Sequence, residues 1–167
     1  MRKLVILEGP DGSGKTTFSG QLSKELKVDV TNHGPYTGES SIWEHYFNSM
    51  LPAYSGGRDV ILDRCWLAEP IYGIVHRNGL NRITPWQLKL LHHTAHNCDT
   101  TVVWFLPPFD SCLTAFNSRR DVEMLDNSEQ LRRVYDCYML ASMEQTKFRQ
   151  VVYDHTRHSY AWARKSI

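Results

Sequence analysis

Short apolar runs alternate along the chain with longer segments in which apolar residues recur every three to four positions. The runs at 4–7, 59–63, 101–106 and 149–153 predict strands, and 28–31 is a weaker strand candidate. Each run is of strand length, and glycine, proline or polar residues follow it. The pattern therefore predicts five strands separated by other elements.

The segments between the strands have the periodicity of amphipathic helices. In the first of them, Phe18, Leu22 and Leu26 are four residues apart and share one helix face. The predicted helices, with their caps, cover about 15–26, 40–54, 84–96, 110–116, 126–144 and 159–164. Because strands alternate with helices, we expect an α/β fold: a three-layer sandwich with a five-stranded parallel sheet and helices on both faces.

The first strand leads into a glycine-rich segment that fits the pattern G-x-x-x-x-G-K-[ST] at every fixed position, through Gly9, Gly14, Lys15 and Thr16. In such a loop, backbone N–H groups converge on an anion at the positive end of the following helix. Lys15 can reach the terminal phosphates, and the Thr16 hydroxyl is placed to bind Mg²⁺. A turn that only joins a strand to a helix would require neither side chain. The predicted ATP-binding residues are Gly9, Asp11, Gly12, Ser13, Gly14, Lys15, Thr16 and Thr17.

The strand at 59–63 ends in Asp63, and Arg64 follows directly. P-loop proteins place a second Mg²⁺-organising carboxylate at the end of such a strand, so Thr16 and Asp63 are the predicted Mg²⁺ ligands, directly or through water. Arg64 would point into the same crevice, where its guanidinium can bind a phosphate through two parallel hydrogen bonds. The alternative is a surface ion pair of little consequence for stability.

Glycine and proline are dense between residues 32 and 38, which predicts a loop. In a parallel sheet, the loops that leave the carboxyl ends of strands line the ligand crevice. His33 and Tyr36 are therefore candidate substrate-binding residues, and Glu39 lies close to them in sequence. A solvent-exposed loop without contact to a ligand is the alternative.

Composition and charge narrow the class of protein. The chain has 167 residues, with 19 basic and 18 acidic side chains and a formal net charge of +1, so it lacks the strong positive charge of nucleic-acid coat proteins. No apolar stretch approaches the ~20 residues that span a bilayer, and no signal peptide precedes the first strand. The four cysteines contain no C-x-x-C pair, which favours free thiols. We expect one cytoplasmic domain covering 1–167, with no membrane partner.

Two segments resemble the thymidylate kinase and deoxynucleoside kinase family. One is EGPDGSGKTT at 8–17, and the other runs from Asp63 and Arg64 to Tyr72. The chain is most similar to the compact thymidylate kinase-like proteins of phages. The resemblance implies that Asp11 contacts the acceptor sugar, that Arg64 holds the acceptor phosphate, and that Trp66 and Tyr72 line the acceptor pocket.

The resemblance also implies features beyond these residues. Family members carry an arginine-bearing lid after the fourth strand, here at about 117–128, with Arg119 and Arg120 as its candidate catalytic residues; a solvated turn is the alternative. The loop at 154–156 would approach the adenine of ATP. Family members often form homodimers. Gly73 stands where the family usually has a thymine-reading glutamine, so the base preference stays open.

The sequence predicts ATP- and Mg²⁺-dependent phosphoryl transfer, with a deoxynucleoside monophosphate as the expected small-molecule acceptor. The predicted catalytic residues are Lys15, Asp63, Arg64, Arg119 and Arg120. One alternative acceptor is a nucleoside or a hydroxylated base within phage DNA, for which Glu8, Asp11, Glu39 or Asp63 would have to act as general base. A nucleotide-binding switch that makes no product is a further alternative, although the chain has no N-K-x-D tetrad to read guanine.

Overall fold

A computed structural model describes residues 2–34, 36, 41–118, 125–144 and 147–167. Its strands are β1 (Lys3–Glu8), β2 (Val30–Asn32), β3 (Val60–Asp63), β4 (Asp99–Phe105) and β5 (Arg149–Tyr153). Its helices are α1 (Lys15–Leu26), α2 (Ile42–Tyr54), α3 (Ala68–His76), α4 (Pro85–His96), α5 (Phe109–Asn117), α6 (Ser128–Met143) and α7 (Tyr160–Arg164). Within the described residues, no helix is both long and apolar enough to cross a bilayer.

The strands form one parallel sheet in the order β2-β3-β1-β4-β5. The pairing register aligns the carboxyl ends of the inner strands, because Asp63 is the partner of both Leu7 on β1 and Asn32 on β2. On the other side of β1, Glu8 is paired with Trp104 of β4. The glycine-rich loop after β1 and Arg64 after β3 therefore begin next to each other at one edge of the sheet.

Two apolar cores cover the two faces of the sheet. Alternate residues of β1 point to opposite faces, so Leu4 and Ile6 belong to one core while Val5 and Leu7 belong to the other. The first core packs against α2, α3, α4 and α6, and the second packs against α1 and α7. This arrangement confirms the predicted three-layer α/β sandwich.

Several element boundaries have visible local causes. The Thr84 hydroxyl accepts a hydrogen bond from the N–H of Gln87, and the Gln87 side chain accepts one from the N–H of Thr84, which forms a complete capping box at the start of α4. Lys27 ends α1 in the left-handed conformation with φ 54°. Because the chain turns there, β2 begins at Val30, two residues later than predicted.

Candidate active site

A cleft of about 460 Å³ lies above the carboxyl ends of the strands. Residues 11–18 of the glycine-rich loop and of α1 form its floor, and Asn32, Asp63 and Arg64 form one wall. Ser111 and Ala115 of α5, with Tyr153 and His155 after β5, form the opposite side. The cleft therefore brings together the loop after β1 and the polar residues that end β2 and β3.

Glycines allow the loop to pack closely against its neighbours. A Cβ atom at Gly12 would lie 2.6 Å from the carbonyl oxygen of Cys112, and φ at Gly12 is +74°. Gly14 caps α1 with φ +91° and offers no side chain to the first N–H groups of the helix. The residues that carry these N–H groups line the cleft, and free N–H groups at the start of a helix suit an anion such as a phosphate.

The Lys15 ammonium lies within the loop rather than in solvent. Its Nζ donates hydrogen bonds to the carbonyl oxygens of Gly9, at 2.7 Å, and Pro10, at 2.8 Å, and lies 3.4 Å from the Ser13 hydroxyl. Burial, with a smaller contribution from the positive charge of Arg64, lowers the pKa of Lys15 to about 8. A phosphate in the cleft would supply the negative charge that favours the protonated ammonium.

Oxygen donors suited to a magnesium ion line the same cleft. Thr16 lies in the first turn of α1, and Asp63 ends β3 with its carboxylate accepting a hydrogen bond from the Asn32 amide at 3.2 Å. Mg²⁺ is usually held by one or two protein oxygens together with substrate phosphates and water, which fits this donor set. In the described part of the chain, no group of three or more His, Cys, Asp or Glu side chains could hold a metal ion.

Arg64 occupies a sharp bend in the backbone immediately after β3, with φ +70°. Its guanidinium forms an ion pair with Asp11 and donates a hydrogen bond to the Tyr72 hydroxyl. The Tyr72 hydroxyl in turn donates to the second oxygen of Asp11, at 3.2 Å. The three side chains thus form one polar cluster at the wall of the cleft, in which only Tyr72 was expected from the family resemblance alone.

Glu8, one of the four candidate general bases, lies below the cleft and does not line it. Its side chain is fully buried, and its oxygens accept hydrogen bonds from the Cys65 N–H, at 2.8 Å, and the Tyr138 hydroxyl, at 3.1 Å. Burial raises the pKa of Glu8 to about 7, although the bond to Cys65 and the charge of Arg64 oppose this shift. Glu8 therefore has no surface on which an acceptor could bind.

The structure contradicts the prediction for Trp66. The expectation that it lines an acceptor pocket is wrong for this structure, because its side chain is fully buried in the core and packs edge-on against His92, with ring centroids 6.0 Å apart. The left-handed bend at Arg64 directs the arginine to the cleft and the next residues into the core. Tyr72 is also buried, and it reaches the cleft only through Arg64 and Asp11.

His33 lies behind the cleft wall rather than in it. Its ring packs against His45 and Tyr46 of α2, with centroid separations of 4.5 and 4.9 Å, and its Nε2 lies 3.0 Å from the Ser49 hydroxyl. Burial and the neighbouring His45 lower the pKa of His33 to about 4. Tyr36 packs on His45 at 5.0 Å. The two predicted substrate-binding side chains therefore form an aromatic cluster beside the cleft.

Other predicted residues lie outside the described part of the chain. These are Arg119 and Arg120 of the expected lid, together with Glu39. Sequence reasoning missed Asn32, which lines the cleft and donates to Asp63. A polar residue at the carboxyl end of a strand is the signal that could have identified it, but the strand was predicted to end one residue earlier.

The parallel sheet, the glycine-rich loop and the cleft above it define the fold of P-loop kinases. Structures with this fold that resemble the chain include the YorR protein from Bacillus subtilis in complex with phosphorylated GDP, with a TM-score of 0.74 and 20% sequence identity over 97% of this chain and 91% of that chain. Deoxyadenosine kinase from M. mycoides with bound dATP has a TM-score of 0.61 and 20% identity over 99% of this chain and 96% of that chain. The same kinase with dCMP and dCDP bound has a TM-score of 0.59 and 18% identity, covering 95% and 93% of the two chains. The sequence itself matches no family model and no curated protein.

Proposed function

We propose that the chain transfers the terminal phosphoryl group of ATP, in the presence of Mg²⁺, to a deoxynucleoside monophosphate. The observation that carries this proposal is that Lys15 and the Arg64 side chain line one continuous cleft. These two positively charged side chains suit a donor phosphate at Lys15 and an acceptor phosphate at Arg64. The similarity to deoxyadenosine kinase with bound dATP and to YorR in complex with phosphorylated GDP supports the same class of reaction.

The donor would bind over the glycine-rich loop. The free N–H groups at the start of α1 and the Lys15 ammonium would bind the β- and γ-phosphates of ATP. Thr16 and Asp63 would hold Mg²⁺, which neutralises charge on the transferring group. His155, next to Gly14, would lie near the rest of the donor nucleotide.

The state of the carboxylates favours a phosphate acceptor over a hydroxyl acceptor. A hydroxyl needs a general base, whereas a phosphate needs mainly positioning and neutralisation of charge. Among the described candidates, Glu8 is fully buried and Asp11 is paired with Arg64. Asp63 lines the cleft, and the proposal assigns it to Mg²⁺. Arg64 would then hold the acceptor phosphate, as the sequence resemblance implies.

The proposal includes a lid whose central residues, 119–124, lie outside the described part of the chain. A lid at about 117–128 would close over the phosphates, and Arg119 or Arg120 would stabilise charge on the phosphoryl group and exclude water. Replacing either arginine singly with alanine should then lower the rate of transfer. The lid would follow α5, whose residues Ser111 and Ala115 line the cleft.

A deoxynucleoside is the second candidate acceptor, because a deoxyadenosine kinase shares the fold over almost the whole chain. In that case Asp63 would have to take the proton of the acceptor hydroxyl, since it is the one described carboxylate candidate that lines the cleft without an arginine partner. A hydroxylated base within DNA would also need Asp63 to take the proton of its hydroxyl group.

An ADP-release assay with a panel of acceptors tests the proposal. The panel holds the four deoxynucleoside monophosphates, the four deoxynucleosides, and DNA with and without a hydroxylated base, each with Mg²⁺ and with excess chelator. We expect Mg²⁺-dependent turnover with a monophosphate, loss of turnover in Lys15→Ala, and full turnover in the control Lys24→Ala, which changes an exposed lysine of the same helix. Turnover only with deoxynucleosides or with modified DNA would select the other acceptor, and no turnover with any acceptor would refute the kinase assignment.

A further inference from the structure

The two peptide groups that flank the Cα of Arg64 are both tied to the end of β1. The N–H of Arg64 donates to the carbonyl oxygen of Leu7, at 2.9 Å. The N–H of the following residue, Cys65, donates to the Glu8 carboxylate, at 2.8 Å. Two consecutive residues of β1 therefore fix the peptide planes on both sides of one Cα atom.

This bend is a conformation that arginine does not adopt readily. A φ of +70° places Arg64 in the left-handed region, where the Cβ of a residue other than glycine is crowded by its own backbone. Such a residue keeps this conformation only where surrounding contacts determine it. The hydrogen bond from Arg64 to Leu7 belongs to the backbone and is independent of side-chain identity, so the bond from Cys65 is the one that depends on a side chain.

We propose that Glu8 is a positioning residue for Arg64, which acts by holding the Cys65 N–H and thereby the left-handed backbone at residue 64. This role rests on the proposed function, in which Arg64 binds the acceptor. The bend directs the Arg64 guanidinium to Asp11 and Tyr72 at the cleft wall. Without this bend, the Arg64 guanidinium would lose its contacts with Asp11 and Tyr72.

The rest of the environment of Glu8 fits a structural holder rather than a reacting group. The side chain is fully buried, and its second oxygen accepts a hydrogen bond from the Tyr138 hydroxyl of α6, at 3.1 Å. A buried carboxylate is costly unless hydrogen bonds satisfy it, and both oxygens here have a donor. The Tyr138 contact thus anchors the carboxylate whose other oxygen holds the bend.

Two conservative substitutions of Glu8 distinguish an effect of side-chain length from an effect of its negative charge. Glu8→Gln keeps the side-chain length and one carbonyl oxygen that can accept from Cys65, while the amide can donate to the Tyr138 oxygen. Glu8→Asp keeps the charge but withdraws the carboxylate by about 1.5 Å, the length of one carbon–carbon bond. If Glu8 acts by position, Glu8→Asp should lose acceptor use and Glu8→Gln should keep it. If Glu8 acts by its charge, Glu8→Gln should lose acceptor use and Glu8→Asp should keep it.

The first readout is a ¹H–¹⁵N NMR spectrum of the complete chain without any substrate. We expect the Cys65 amide proton and the Arg64 Nε–H signal to shift or broaden in Glu8→Asp and to stay close to the wild-type positions in Glu8→Gln. Glu129→Asp, which makes the same shortening at an exposed position of α6, serves as the matched control. Unchanged Cys65 and Arg64 signals in Glu8→Asp would overturn the proposal, whether or not the protein is a kinase.

The second readout is kinetic and uses the acceptor that the wild-type protein phosphorylates. We expect Glu8→Asp to lower kcat/KM for the acceptor by about 10- to 100-fold, because small displacements of a positioning group have effects of this size. ATP affinity should stay within about twofold, and Glu8→Asp should add little to the loss already caused by Arg64→Ala. Full multiplication of the two losses would overturn the proposal. A wild-type protein without any transfer would instead refute the proposed function, and the NMR readout would still decide the role of Glu8.

Discussion

The Arg64 guanidinium, directly after β3, and the Asp11 carboxylate, in the glycine-rich loop, form an ion pair. Their side-chain exposures are 16% and 8%. Asp11 belongs to the loop that would bind ATP, while Arg64 follows the neighbouring strand. The pair, bridged by the Tyr72 hydroxyl, therefore connects the two halves of the proposed site. Under the proposed function, an acceptor phosphate would share the positive charge that Asp11 now balances.

Arg64→Ala should impair use of the acceptor far more than binding of ATP. We expect kcat/KM for the acceptor to fall by about 10²- to 10³-fold, because the arginine would bind the phosphate and neutralise charge during transfer. The Kd of ATP should change by less than about threefold, since Lys15 and the loop N–H groups remain. Steady-state kinetics with a titration of ATP measure the two effects separately.

Arg58→Ala is the matched control for Arg64→Ala. Arg58 is exposed and lies just before β3, at the end of the strand opposite to the cleft. Loss of the Arg64 side chain also leaves the buried Asp11 charge without its partner, so urea unfolding has to accompany the kinetics. Equal losses of acceptor use and ATP binding in a folded Arg64→Ala protein would contradict the acceptor role.

ATP binding should weaken as the pH rises through about 8. Burial lowers the pKa of Lys15 from its ordinary value of 10.5 to about 8, so the free protein loses the ammonium charge above that pH. Bound phosphates require the charge, and binding at higher pH must therefore take up a proton. By linkage, the Kd of ATP should then increase toward about tenfold per pH unit.

Fluorescence titrations with a labelled ATP between about pH 6.5 and about pH 9.5 test this linkage. Lys15→Met should bind ATP weakly at every pH and should lack the rise, because it has no proton to gain. A Kd that stays flat up to the upper limit would show that Lys15 keeps its proton in the free protein.

Two glycine-to-alanine substitutions at the start of the chain should have opposite effects. Gly12→Ala would place its Cβ 2.6 Å from the carbonyl oxygen of Cys112 at a φ of +74°, so we expect lower stability and loss of ATP binding. Gly20 lies on the exposed face of α1 with no atom within 4 Å of an added Cβ. Alanine there should increase the free energy of unfolding by about 0.5–1 kcal/mol without affecting turnover. Urea unfolding and the ADP-release assay measure both variants, and destabilisation by Gly20→Ala would contradict this reading of the helix.

The parts of the fold that the sequence predicted are those with a strong local pattern. Helix α1 begins at Lys15 and ends at Leu26, as predicted, because the glycine-rich loop marks its start and its large apolar residues repeat every four positions. The order of the other strands and helices also follows from local periodicity, whereas helix α3 was not predicted. The parallel sheet is then the arrangement that the alternation favours.

Left-handed backbone conformations explain two features that the sequence did not predict, the position of Asn32 and the burial of Trp66. Left-handed residues other than glycine carry no clear sequence signal, and two of them decide the site. Lys27 delays β2 and so brings Asn32 to the cleft beside Asp63. Arg64 turns the chain so that Trp66 enters the core instead of the acceptor side. The bend at Arg64 depends on hydrogen bonds to residues far apart in sequence, Leu7 and Glu8.

The stability of the protein should reflect the buried carboxylate of Glu8. Burial raises the pKa of Glu8 from its ordinary value of 4.5 to about 7, so the folded state binds more protons than the unfolded state between these two values. The free energy of unfolding therefore contains a contribution that decreases as the pH rises from about 4.5 to about 7.

The Glu8→Gln side chain is neutral at every pH, so this variant should lack the decrease. Relative to the wild type, the variant should gain stability on going from about pH 5 to about pH 8, by an amount on the order of 1 kcal/mol or more. Urea unfolding at the two pH values measures the difference, and the exposed Glu129→Gln of α6 is the control that should show none. An identical pH dependence in Glu8→Gln and the wild type would mean that Glu8 is ionised as readily in the folded chain as in the unfolded one.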